Sequence, residues 1–265
     1  MIGLFDSGFG GLHVLRGIVK SLPEYGYIYL GDSARAPYGP RSSDEVYQFT
    51  KQGVEFLFAH GAELVVLACN TASSEALRKL QADYRTDPNK KVLGVLIPFA
   101  EAAVTRTKNK NVGVMATEGT VRSGSFSREI TKIDPEIKVF QQACPLLVPL
   151  VEAGTQDSEE AEALVREYVT PLLEKNIDTL VLGCTHYGIL EEKIRSVVGP
   201  DINIISDRDV MPEGLERYLE RHPEIKARLQ RTGTINFYCT GDKAPFETLG
   251  SVFFGKRIQA ERVEL

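Results

Sequence analysis

The sequence predicts an α/β protein built from two similar parallel-sheet units. Three observations predict it. Short apolar runs alternate with amphipathic stretches along nearly the whole chain, as they do where helices cover parallel strands. The alternation restarts near residue 112. Each half then carries an apolar run that ends on a cysteine, in LVVLACNTAS (64–73) and TLVLGCTHYG (179–188).

The elements follow in order. IGLF (2–5) reads as a strand and 11–22 as an amphipathic helix, after the loop FDSGFGG (5–11). GYIYLGD (26–32) is a strand, and 42–61 a long helix capped by Ser43 or Asp44. ELVVLAC (63–69) is a strand, 72–84 a helix and KVLGVL (91–96) a strand. The second round has strands at 112–117, 137–144, 179–184 and 202–207, with helices at 124–134, 158–174 and 190–198. Its opening loop, ATEGTVRSG (116–124), answers FDSGFGG. Beyond 207 stand one long helix (210–221) and one clear strand, TINFYC (234–239), too little for a third sheet. The segment is expected to return to the first unit. That gives residues 1–97 with 207–265 as the first unit and 98–206 as the second.

Composition sets bounds. With 43% hydrophobic and 25% charged residues, the 265-residue chain suits a soluble globular protein with a sizeable core. A net charge of −5 disfavours nonspecific binding to nucleic acid or anionic membranes. No apolar run reaches the ~18 residues of a membrane span, and MIGLFDSGFGG lacks the basic start of a signal peptide. Cysteines at 69, 144, 184 and 239 form no C-x-x-C pair, which argues against a zinc site or a disulfide framework. A reducing cytoplasm is expected.

The two strand-end cysteines carry the chemistry. A lone cysteine at the end of a strand is ordinarily a small core residue. Two at equivalent places of a repeat, each followed by amide, hydroxyl or imidazole groups, suit a reactive site. Strand carboxyl ends of open α/β sheets face their ligands, so Cys69 and Cys184 are expected to look into one cleft from opposite sides. Two opposed thiols suit the transfer of a proton from one face of a carbon to the other. One takes a proton and the second delivers one, at an ordinary thiol pKa of about 8.5. Asp6 reads as a helix cap or a helper, and His186 as the imidazole beside Cys184. G-F-G-G matches neither a Walker A nor a dinucleotide loop. Cys144, before Pro145, reads as structural in the first turn of a helix, and Cys239 also reads as structural. His13 falls within a helix, His60 near a helix end and His222 in a solvated stretch.

DSGFGGL, DSARAPYG, VVLACNTAS, GTVRSG, CPLLVPLVEAG and LVLGCTHYG, in this order over nearly the whole chain, resemble the glutamate racemases of the cofactor-independent aspartate/glutamate racemase superfamily. The resemblance implies two α/β domains related by pseudo-twofold symmetry with the active site between them. It implies an isomerase that makes D-glutamate for peptidoglycan with no cofactor or metal, using Cys69 and Cys184 as a two-base pair. Cys69 would act on D-glutamate with help from Asp6, and Cys184 on L-glutamate with help from His186 and Glu152. Substrate contacts would come from Asp6, Ser7, Tyr38, Gly39, Asn70, Thr71, Thr117, Thr120, Thr185 and His186. The partners expected are glutamate and a second copy of the chain, in a homodimer. Gly188, where the family usually has proline, Phe126, His13 and ISDRD (205–209) depart from the pattern. An aspartate racemase of the same superfamily, or a two-lobed protein that only captures an amino acid, are the alternatives. Capture needs no thiols, and redox or hydrolase chemistry would not call for two symmetric ones.

Overall fold

The computed structural model describes residues 1–265 and arranges ten strands in two wholly parallel sheets. The strands are β1 (Ile2–Asp6), β2 (Tyr27–Gly31), β3 (Leu64–Leu67), β4 (Lys91–Gly94), β5 (Asn111–Ala116), β6 (Lys138–Ala143), β7 (Thr179–Gly183), β8 (Asn203–Ile205), β9 (Ile235–Cys239) and β10 (Ala260–Arg262). One sheet has the order β10-β9-β2-β1-β3-β4 and the other β6-β5-β7-β8. Four strands of the first, β2-β1-β3-β4, thus repeat the order of the second. The central strands are fully buried and read as unbroken apolar runs, as strands covered on both faces must.

Register places the loops. Phe5 pairs with Leu67, so Asp6 and Cys69 leave β1 and β3 side by side. Ala116 pairs with Gly183, so Thr117 and Cys184 leave β5 and β7 in the same way. In both sheets the chain order reverses at this pair of strands, where open α/β sheets place their ligands.

Several expectations are corrected. The long helix runs Ser43–Ala59 and its cap is Ser42, one residue early. The Ser42 hydroxyl accepts from the Glu45 backbone N–H at 3.3 Å, and the Glu45 carboxylate accepts from Ser42 N–H at 3.1 Å, a reciprocal capping box. The strand expected to reach residue 96 stops at Gly94, and a helix Leu96–Arg106 follows. Pro98 lies in its first turn, where no intrahelical donor is lost. The helix expected over 124–134 is there as Ser125–Ile133, but the segment 116–124 read as a loop holds a helix of its own, Glu118–Ser123, joined to it at Gly124 in the left-handed region at φ 62°. Cys144 lies outside any helix, since the turn after it delays the helix to Leu147. The tail adds a helix, Lys243–Phe254, and the short β10.

The largest core cluster runs continuously from the inner face of the first sheet into the second. Helix Asp207–Arg221 packs against both Gly11–Ser21 and Leu96–Arg106. A smaller cluster lies under the outer face of the first sheet. No helix is long and apolar enough to cross a membrane.

Candidate active site

The carboxyl ends of β1, β3, β5 and β7 enclose a tight cleft of about 30 Å³. Its walls are Ser7, Gly8, Ala36, Pro37, Tyr38, Gly39, Cys69, Asn70, Thr71, Thr117, Val148, Glu152, Cys184, Thr185 and His186. The two thiols therefore share one cavity, one from each sheet. They are nearly buried, 6% exposed for Cys69 and 7% for Cys184.

Cys69 caps the helix Asn70–Asp83, its sulfur accepting from the Ala72 N–H at 3.5 Å. Its thiol lies 3.5 Å from Ser7 Oγ. A helix N-terminus favours thiolate, yet burial wins here. Burial, and after it the negative charge of Asp6, push the thiol up to about 11 against the pull of the Ser7 and Ala72 contacts. Burial likewise raises Cys184 well above an ordinary thiol, although the His186 backbone N–H pulls it down. Both groups are therefore protonated near neutral pH.

Cys184 Sγ stands 3.9 Å from His186 Nδ1. On the far side of the ring His186 Nε2 donates to Glu152 Oε1 at 3.0 Å. With Nε2 held by Glu152, Nδ1 is the ring nitrogen turned toward the thiol. Phe9 and Phe253 flank the ring at centroid distances of 5.7 and 5.5 Å. The close fit explains one glycine: a Cβ on Gly10 would fall 2.4 Å from Thr185 Oγ1 and 2.8 Å from His186 Nδ1.

The cleft's polar wall is partly unpartnered. Asn70 is 2% exposed, and neither its Oδ1 nor its Nδ2 finds a partner in the protein. Buried polar atoms are seldom left so, and Asn70 lines the cleft at the first position of its helix, a place suited to an anion. Thr71 and Thr117 hydroxyls meet at 2.9 Å across the two sheets, and Thr117 donates to Thr120 Oγ1 at 3.1 Å. Tyr38 donates its hydroxyl to Asp32, whose oxygens also receive Arg35 Nε at 2.7 Å and Thr240 Oγ1 at 2.7 Å.

Two expected contacts, Asp6 and Thr120, stand behind the lining. Asp6 is wholly buried, takes the Gly8 N–H at 2.9 Å and the Thr185 hydroxyl at 3.4 Å, and is raised above the usual carboxylate range by burial. It reaches the cleft only through those neighbours, and Thr120 only through Thr117. The other expected residues line the cavity. Gly8, Ala36, Pro37 and Val148, not singled out from sequence, line it too; each lies inside a motif whose other members were. Cys144 and Cys239 are buried, do not line the cleft and bond backbone carbonyls; Cys144 lines a neighbouring hollow behind Pro37, Gly39, Thr117 and Val148.

Residues 2–207 match the family described as Asp/Glu/Hydantoin racemase. A glutamate racemase of Oceanobacillus iheyensis is 41% identical over 254 residues, 96% of this chain and 91% of that protein. Among solved structures, glutamate racemase isoform RacE1 of Bacillus anthracis is similar at a TM-score of 0.92 and 37% identity, covering 100% of this chain and 97% of that one. Glutamate racemase of Francisella tularensis in complex with D-glutamate is similar at 0.90 and 30% identity, covering 99% of this chain and 97% of that one.

Proposed function

The chain belongs to the Asp/Glu/hydantoin racemase family, and from that premise we propose that it interconverts L- and D-glutamate through Cys69 and Cys184. The observation that carries the reading is the pair of thiols at equivalent strand ends facing one cleft. One thiol enters the cycle as thiolate and takes the α-proton. The electron pair of the broken C–H bond passes into the substrate carboxyl group, and the second thiol delivers its proton to the opposite face. The thiols then reset by exchange with water.

Both thiols rest protonated, so one must lose its proton as substrate arrives. The substrate ammonium lowers the cost of a nearby thiolate. At Cys184 the Nδ1 lone pair of His186 receives the thiol proton, and Glu152 steadies the imidazolium that forms. Cys184 thereby serves L-glutamate and Cys69 D-glutamate, with Asp6 acting on Cys69 by its charge. Asn70 and the first N–H groups of its helix hold a substrate carboxylate. Ser7, Tyr38, Gly39, Thr71, Thr117 and Thr185 complete the grip. The two units, 1–97 with 207–265 and 98–206, close on the substrate. The protein works in the cytoplasm as a homodimer, without cofactor or metal, and supplies D-glutamate for peptidoglycan.

Circular dichroism of L-glutamate incubated with the purified protein and a chelator tests the reading. Cys69→Ala and Cys184→Ala should each abolish the loss of optical activity, while Cys144→Ala and Cys239→Ala keep most of it. Turnover in either of the first two variants, a requirement for pyridoxal phosphate or metal, or faster racemisation of aspartate would each overturn it. Binding of glutamate without α-proton exchange would mark a capture protein instead.

A further inference from the structure

Behind Cys184 the chain passes through His186 into the single turn Tyr187–Leu190. Gly188 lies in that turn. Its backbone is outside the left-handed region, so conformation does not require glycine there. Space does: a Cβ would fall 2.6 Å from Cε1 and 2.7 Å from Nδ1 of His13.

His13 comes from the first turn of the helix Gly11–Ser21, next to the Asp6–Gly10 loop, and is buried. Its Nδ1 donates at 3.1 Å to Oδ1 of Asp207, the first residue of the helix Asp207–Arg221. Asp207 is 1% exposed, and its Oδ2 has no partner. A buried carboxylate satisfied on one side only is a poor source of stability. What the pair does provide is a fixed point where three separate segments meet. Gly10, on the same helix end, packs against His186 Nδ1, so the ring of His186 rests on the surface that His13 helps to form.

We propose that His13 and Asp207 are positioning residues, clamped so that the His13 ring bears on Gly188 and holds His186 at its set distance from Cys184. The inference rests on the reading of Cys184 as a proton carrier. The 3.9 Å between Cys184 Sγ and His186 Nδ1 leaves little room for drift before the thiol loses its partner. Through its side chain the clamp bears on the second thiol's loop; toward the loop that carries Ser7, His13 makes only the backbone bond of its N–H to Gly10 O, which every variant below keeps. Cys69, on β3 and its helix, has Ser7 and Ala72 as its partners. Loosening the clamp is therefore felt at one thiol and not at the other.

The test uses the full chain and four variants: His13→Ala, His13→Asn, Gly188→Ala and the double variant His13→Ala/Gly188→Ala. Two quantities are read: kcat and KM for glutamate, and the iodoacetamide labelling rates of Cys184 and Cys69 at one pH, resolved by peptide mass spectrometry. His13→Ala should lower kcat about tenfold with KM held within about twofold. It should change Cys184 labelling at least about threefold and leave Cys69 labelling as it was. His13→Asn, whose amide N–H takes the place of Nδ1–H toward Asp207, should restore most of the loss. Gly188→Ala should be severe alone and add less than about twofold once the His13 ring is gone. Should His13→Ala not fold, Gly188→Ala and His13→Asn carry the same labelling comparison. Equal labelling changes at both thiols, or an equal cost of Gly188→Ala in both backgrounds, would overturn the clamp. A wild-type chain that does not racemise glutamate would sink the functional reading, while the labelling comparison would still decide the clamp.

Discussion

At Cys69 two influences of opposite sign meet, and their sizes decide the resting state. The helix end and the contacts from Ser7 and Ala72 favour thiolate, while burial and the Asp6 charge oppose it and prevail. The consequence is a protonated thiol that ionises late. Labelling of Cys69 by iodoacetamide in the substrate-free protein should therefore climb about tenfold per pH unit from about pH 7 to pH 9 without levelling. A plateau near pH 8 would mean that the helix end, not burial, controls the group. Because folding raises this pKa, the folded state holds its proton longer than the unfolded chain. The thiol thus adds stability below about pH 9, and that contribution is lost as pH rises toward about 11. Much of this residue scale was legible in the sequence, since thiol, hydroxyl, amide and imidazole neighbours stand together in CNT and CTH. The depth of Asp6 was not. Whether a carboxylate lines a cleft or lies under it depends on the neighbours that fold over it, here Gly8 and Thr185, and no local pattern carries that.

Elements bring these residues to one place because each strand ends where its chemistry begins. LVVL and TLVLG are apolar enough to be buried on both faces, and the first polar residues after them mark where the sheets stop. Strand periodicity was therefore easy to read, and strand ends located both cysteines. Helices were harder. Leu96–Arg106 follows β4 almost without a break, and its apolar start looks like more strand until Pro98 and Glu101 are placed on a helix. Gly124 looked like a helix start and proved to be the joint between two helices, a distinction set by its left-handed φ rather than by its identity. The cap of Ser43–Ala59 moved to Ser42 because only Ser42 stands three residues before Glu45, as a reciprocal box requires. Ser42→Ala should cost about 1 kcal/mol of unfolding free energy, measured by urea denaturation, with racemisation unchanged. A loss within error would show that the box, which is exposed, is redundant with water.

On the scale of the whole molecule, the shared strand order turns two sheets into one device. The order β2-β1-β3-β4 recurs as β6-β5-β7-β8, so the reversal point of each sheet offers the same pair of loops. The sequence carried the repeat as two faint echoes, the opening loops and the cysteine strands. It carried β9 as a clear strand returning to the first unit, but not β10 beyond it, because β10 is three residues long and two of them are charged. Nor did it reveal the Thr71–Thr117 contact, which exists only once both sheets are in place. The central claim, that the two facing thiols act as separate acid and base, is tested most directly by running the reaction in D₂O from each enantiomer. Samples are taken at low conversion and the enantiomers separated before mass spectrometry. The donor thiol exchanges with solvent between turnovers, so nearly every product molecule should carry deuterium at the α-carbon while the remaining substrate stays protiated. Substantial unlabelled product, formed by a single base returning the substrate's own proton, would contradict the account.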